Sequence, residues 1–246
     1  MRHVVGTLHD VQSLTPMTEN EQTHSQLLRE AARQFLGPLG LRQKGRSRTW
    51  LDDNRWWLCI VEFQPSGWSR GSHLNVGCMW LWQETNNLRF DEGYRVENFV
   101  AFKNSDQFES VAEKLAKRAA IEVERYRSSF ATVSDVADYY MKKIPAPTPK
   151  EFWSNFHAAV ACGAVGRASV SRQFFEQVLR DREDLDWIKA AQTEAAALIS
   201  VLDDTDRFRH IVREKVIRTR ELLKLPKQET ASLTKLASQS IPSRDV

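Results

Sequence analysis

Apolar positions early in the chain recur every three or four residues. Leu27, Leu28, Ala31, Ala32 and Phe35 fall on one stripe, which predicts an amphipathic helix, and Gly37-Pro38 stops it. The period then changes to two. "LRQKGRSRTWLDDNRWWLCIVEFQ" (residues 41–64) reads as two strands joined by a turn at Asp52–Asp53–Asn54, because Asp and Asn favour turn geometry. "SHLNVGCMWLWQE" is a third strand, and "NLRFDEGYRVENFVAF" supplies a shorter fourth. Helical spacing returns after Asn104, which caps with Gln107 three residues on. Phe108, Val111, Leu115, Ala119, Val123 and Tyr126 line that helix, and a second helix over residues 133–143 ends before "IPAPTP".

That Pro-rich segment, Ile144 to Pro149, is the clearest boundary, since proline stiffens a connection and disfavours helix before it. Thr148, Pro149 and Glu151 have the spacing of a capping box with proline at the first helical position. Four helical patterns follow, at 149–162, 167–181, 185–202 and 206–224. The fold class expected is α+β: an antiparallel sheet of about four strands with flanking helices, then an all-helical C-terminal unit. In residue terms this is a flexible lead-in (1–18), an α+β domain (19–143), a linker (144–149), a helical bundle (150–225) and a disordered tail (226–246). Ser171, Phe175 and Val178 have the spacing of a tetratricopeptide second helix, but the other landmarks of that repeat do not align. Two packed amphipathic hairpins account for the same pattern.

Residues 56–82 hold five of the eight tryptophans. Folding this stretch as a hairpin across the loop Pro65–Gly71 pairs Phe63 with Leu74, Val61 with Val76, Cys59 with Cys78 and Trp57 with Trp80. That face is apolar throughout. The other pairs Trp56 with Leu81, Leu58 with Met79 and Ile60 with Gly77, so this end of the ribbon must be covered on both sides. Platforms for single-stranded nucleic acid set exposed aromatics beside basic residues. Here the indoles alternate with aliphatics, and they read as core.

Near the loop the second face turns polar. Glu62, Gln64, His73 and Asn75 are expected to converge there beneath the loop that carries Trp68 and Arg70, and these six residues form a candidate ligand or partner site. Glu62 and His73 have the chemistry of a proton-transfer pair. No nucleophile motif accompanies them, and no catalytic residue is assigned. A second candidate is basic. Arg42, Lys44, Arg46 and Arg48 alternate, so one strand would set four positive charges on one face, either as protection of a sheet edge or as a contact for phosphates or an acidic surface. Between Arg207 and Lys224 lie seven basic residues and, counting Asp206 just before them, three acidic ones. Arg209, Arg213 and Arg220 share a stripe there.

Composition narrows the classes. The chain has 246 residues, 41% of them hydrophobic, and a net charge of +3, which is too balanced to imply a polyanion by itself. No apolar run is long enough to span a membrane, and the first residues lack that of a signal peptide. Three dispersed cysteines form no disulfide or zinc pattern. The acidic clusters Asp181–Asp186 and Asp203–Asp206 lack the glycine and terminal glutamate of a calcium loop. A cytoplasmic protein without metal or cofactor is expected.

Four short matches also resemble a bacterial family of uncharacterised domains, over roughly residues 25–130. They are Pro38-Leu39-Gly40, Lys44-Gly45-Arg46 before Thr49, Phe63-Gln64-Pro65-Ser66 and Asn75-Val76-Gly77. Leu41, the inserted Ser47-Arg48, Glu62 and Pro65 depart from the family pattern. The resemblance implies a fold and no settled activity. The function expected is therefore a non-enzymatic protein-interaction module, with toxin immunity or defence as a setting. One alternative is a nucleic-acid-associated protein using residues 42–48 and 207–224. A second is a hydrolase or transferase built on Glu62 and His73.

Overall fold

The computed structural model describes residues 19–227, so the expected lead-in and nearly all of the expected tail lie outside the described residues. The first apolar stripe forms α1 (Glu19–Leu36). The period-two region forms five strands, one more than expected: β1 (Arg42–Gln43), β2 (Thr49–Asp53), β3 (Trp57–Pro65), β4 (Gly71–Trp80) and β5 (Glu92–Ala101). They make an antiparallel meander in chain order. The extra strand arises because residues 42–48 fold back on themselves. Lys44 donates its N–H to Thr49 O at 2.9 Å, and Gly45 takes φ +56°, a left-handed conformation that glycine adopts at little cost. β5 is as long as β4 rather than shorter.

The expected pairing of β3 with β4 is found residue for residue, from Trp57 opposite Trp80 to Gln64 opposite His73. Leu81 N–H reaches Trp56 O at 3.1 Å just beyond it. Gly77 pairs with Gly93 of β5, and a Cβ at Gly77 would strike Glu92 O and the Phe90 ring, so the backbone approach there requires glycine.

Helices cover this ribbon on both sides. α2 (Ser105–Ser129) is capped by Asn104, whose side chain accepts from Gln107 N. With α1 it packs on the face carrying Cys59, Val61, Val76 and Cys78, all fully buried. α3 (Val133–Lys143) starts from a Thr132–Asp135 capping box. The C-terminal helices are α4 (Phe152–Ala164), α5 (Ala168–Leu179), α6 (Asp186–Ile199) and α7 (Thr205–Leu222). The chain enters α4 through a single 3-10 turn, Pro149–Glu151, in which the Thr148 side chain makes no capping bond. Its backbone carbonyl serves instead, accepting from Glu151 N at 3.1 Å and Asn155 Nδ2 at 2.6 Å.

Four indoles fill the Trp end. Trp56, Trp80 and Trp82 lie within 10° of parallel at centroid separations of 5.2–5.8 Å, and Phe130 meets Trp80 edge-on at 5.0 Å. Such aromatic pairs contribute about 0.5–1.5 kcal/mol each beyond burial. Two of the indole N–H groups are satisfied by different helices: Trp80 Nε1 donates to Tyr140 of α3 at 2.9 Å, and Trp82 Nε1 to His157 of α4 at 3.2 Å.

The predicted turn at Asp52–Asp53–Asn54 is gripped from both faces. Arg127 of α2 holds the fully buried Asp52 through two bonds of 2.7 and 2.8 Å and also reaches Leu39 O. Arg220 of α7 holds Asp53 through two bonds of 2.7 Å and the carbonyls of Arg55 and Pro226. Removing one partner of such a pair leaves an uncompensated buried charge, at a cost of about 3–5 kcal/mol. Arg127→Met should therefore lose about 3–5 kcal/mol in denaturant unfolding, and adding Asp52→Asn should recover part of it. A loss within about 0.5 kcal/mol, as at ordinary surface positions, would mean that the pair does not anchor the turn.

Candidate functional site: an arginine-lined cleft beside the Trp68 loop

Beyond the hairpin turn, α1 presents a polar stripe at one-turn spacing: Ser25, Arg29 and Arg33. This stripe faces Arg46 and Arg48 across a cleft of ≈ 710 Å³ whose floor includes Leu28, Trp50 and Phe63. A second cavity of ≈ 440 Å³ adjoins it, bounded by His24 and the loop from Pro65 to Gly71. The two share Ser25 and Arg48, and Arg48 donates to Ser25 Oγ at 2.7 Å between them. Five arginines line the combined trough (29, 33, 46, 48 and 70) against one carboxylate, Glu30, which is bonded to Gln26. Among the described residues, Arg29, Arg33 and Arg46 form no ion pair.

The loop is shaped by Ser66, whose Oγ accepts from the N–H groups of Trp68 at 3.2 Å and Ser69 at 3.4 Å. This turn leaves Trp68 98% exposed, while the other four tryptophans of the 56–82 stretch are at most 2% exposed. His24 closes the inner wall. Its ring packs on Phe102 and Phe108, with Ser72 Oγ 3.5 Å from Nε2. Burial, and secondarily the charge of Arg48, lowers its pKa from 6.5 to about 4. It is neutral near pH 7 and adds no charge to the cleft.

The residues singled out from sequence separate into different places. Strand parity puts Ser72 on the α1 face, so Glu62, Gln64, His73 and Asn75 lie on the opposite face. There Asn75 Nδ2 donates to Glu62 at 2.9 Å and Gln64 at 3.0 Å, and Arg95 donates to Asn75 and Gln64. His73 stays outside this network, its ring against Phe99 at 5.6 Å and its Nδ1 buried without a hydrogen-bond partner. No hydrogen bond joins His73 to Glu62 among the described residues, so the expected proton-transfer pair is not formed. Trp68 and Arg70 do not roof the polar corner. Their loop walls the α1 cleft instead.

The basic residues are likewise redistributed. Because residues 42–48 form a hairpin, Arg42 is opposite Leu51 and Lys44 bonds Thr49, on the polar-corner face, whereas Arg46 and Arg48 line the cleft. The four-charge row on one strand face does not exist. On α7, Arg220 is buried against Asp53, Arg209 donates to Ala164 O at 2.7 Å, and Arg213 is exposed. Two of these three residues fasten α7 in place rather than forming a basic surface. The second half of the basic surface is α1. Its Arg29 and Arg33 were legible as an i, i+4 pair on the polar side of the first helix, but nothing local tied them to Arg46.

One buried histidine escaped the sequence reading. Trp82 Nε1 can only donate, so His157 Nδ1 accepts from it at 3.2 Å, while Nε2 lies 3.4 Å from Asp91 Oδ1 without a hydrogen bond. Asp91 accepts from Trp80 N at 2.7 Å and Arg89 Nε at 2.6 Å. Burial opposes its charge, but His157 and Arg89 together hold its carboxyl below the usual range. His157 is 1% exposed, and its bond from Trp82 ties α4 to the end of the sheet. Cys59 and Cys78 are adjacent, with thiol pKa values raised chiefly by burial, so neither is an activated nucleophile. Among the described residues no group of three His, Cys, Asp or Glu is placed to hold a metal ion, and no helix is long and apolar enough to cross a membrane.

Comparison with protein-family models, with curated proteins and with solved structures finds no match for this chain. With no family shown for the chain, function rests on the geometry.

The His24 shift has a consequence for stability. Its folded pKa lies below its unfolded value, so the unfolded chain takes up the proton first as pH falls. The contribution is complete above about pH 6.5 and is lost progressively toward about pH 4. Between about pH 7 and pH 5 the parent protein should lose about 1–2 kcal/mol more than His24→Gln. Parallel denaturant titrations check this, and identical pH profiles would contradict a buried neutral imidazole.

Proposed function

We propose that this chain is a non-catalytic binding module that holds an anionic partner in the cleft between α1, the β1–β2 hairpin and the Trp68 loop. One observation carries the reading: Arg29, Arg33 and Arg46 converge on one trough from two separate elements without carboxylate partners among the described residues. Like charges brought together repel, whereas the two arginines that grip the buried turn are each paired with a carboxylate, at Asp52 and Asp53. The guanidinium is always charged, and its planar fork matches carboxylate and phosphate oxygens.

Supporting features come from the rest of the site. Ser25 and Ser47 line the trough and brace it, Ser25 Oγ accepting from Arg48 and Ser47 Oγ donating to Lys44 O. The apolar floor lowers the local dielectric and strengthens each contact with an anion. The Glu62–Asn75–Gln64–Arg95 group is closed on itself by hydrogen bonds, and His73 is detached from it, so the hydrolase alternative has no geometry in its favour. A protein partner of the kind expected from sequence would be one that presents an acidic surface.

Retention on immobilised heparin, a polyanion of no particular sequence, tests the assignment. The parent chain should be retained and elute with salt. Arg33→Glu combined with Arg46→Glu should elute at markedly lower salt with an unchanged near-ultraviolet spectrum, whereas Arg213→Glu on α7 should elute with the parent. Unchanged elution of the cleft variant would place anion binding elsewhere.

A further inference from the structure

We infer that the occupant of the cleft is single-stranded nucleic acid, with backbone phosphates on the arginine rows and a base stacked on Trp68. The inference rests on the cleft being the anion-binding surface and goes further by naming what binds. Phosphate chemistry and base chemistry are both provided for, at adjoining places. Arg29 and Arg33 stand one helical turn apart, about 6 Å along the axis, and face Arg46 across the trough. This is a two-sided track for a strand with repeating charge. Where the track continues past Arg48, its far wall is the loop with Trp68 and Arg70.

Trp68 is the discriminating residue. An indole 98% exposed is unusual beside four tryptophans that are at most 2% exposed in the same stretch. Ser66 holds the loop crown in a turn through both Trp68 N and Ser69 N, so the exposure is built into the loop. Aromatic side chains displayed beside a basic groove are how sequence-tolerant single-strand binders hold bases, since every base offers a π-face. A carboxylate-bearing protein would occupy the arginines and leave this indole idle. A duplex is read by an element that projects into a groove, whereas this surface is concave.

The test is fluorescence anisotropy of a fluorescein-labelled oligothymidylate with the full chain. Three competitors accompany it: an abasic strand of equal length, a duplex of equal length and polyglutamate. With about four phosphates engaged, raising salt from about 50 to about 200 mM should weaken binding roughly fiftyfold. Trp68→Ala should weaken it about tenfold with little change in salt dependence. The abasic strand should bind the parent as weakly as thymidylate binds Trp68→Ala. Arg33→Glu with Arg46→Glu should cost at least tenfold and flatten the log–log salt slope by about 1.4.

Failures are distinguishable. If polyglutamate or the duplex competes as well as thymidylate and Trp68→Ala binds like the parent, the nucleic-acid assignment is overturned while the anion-binding cleft stands. If no anion binds, or binding ignores the paired glutamate substitutions, both are overturned. Near-ultraviolet circular dichroism, dominated by the buried indoles, verifies that each variant is folded.

Discussion

A β-ribbon that is apolar on both of its faces cannot be left in water on either. Trp57, Cys59, Val61, Cys78 and Trp80 demand cover on one side, and Leu58, Ile60 and Met79 demand it on the other. α1 and α2 meet the first demand. On the second side the Phe90 ring lies over Gly77, and the helices after the Pro-rich segment close the Trp end through His157 beneath Trp82 and Arg220 on the turn. The buried apolar residues accordingly run as one continuous cluster from α1 to α7. Where the apolar pattern stops, at the step from Ile60 to Glu62, the cover stops as well. The loop end of the ribbon is thereby left open, and the cleft and the Glu62–Asn75 corner both lie there.

Arginine has two physical roles in this fold, and the contrast gives the cleft its meaning. Arg127 and Arg220 are buried or nearly so and each spans a carboxylate with both arms, which fixes a turn in the middle of the molecule. Their charge is cancelled at its source. Arg29, Arg33 and Arg46 sit where water or a ligand can reach them, aimed at a shared space with one carboxylate on its wall. A surface that was only solvated would intersperse its charges, as α2 does with Lys117 beside Glu113 and Arg125 beside Glu122. The cleft concentrates one sign and sets an exposed indole at its end.

Much of the sheet was legible because its signals are local and periodic. Alternation fixed the β3–β4 register, since a one-residue slip would set Phe63 opposite a polar residue instead of Leu74 and break up the polar pairs Glu62–Asn75 and Gln64–His73. The Asn104 cap and the Asp52–Asp53–Asn54 turn follow from side chains that bond to neighbouring backbone. What remained illegible depended on one residue's backbone angle or on distant partners. Gly45 turned an apparent four-charge strand into a hairpin and sent Arg46 to one face and Arg42 to the other. Thr148 has the composition of a cap, but the tight turn at Pro149 directs its carbonyl inward instead. Arg220 looked like part of a basic stripe because Asp53, which buries it, lies 167 positions away. The two halves of the cleft are likewise separated in sequence, so neither α1 nor the hairpin announced it alone.

The dependence of the ribbon on cover from both sides can be measured directly by comparing the full chain with one ending at Pro147, before α4. If the second apolar face requires the C-terminal helices, the shortened chain loses the near-ultraviolet signal of its stacked indoles, binds a hydrophobic dye and unfolds without a cooperative transition. A shortened chain that kept the indole signal and unfolded cooperatively, with Trp56 and Trp82 bare to solvent, would contradict the account.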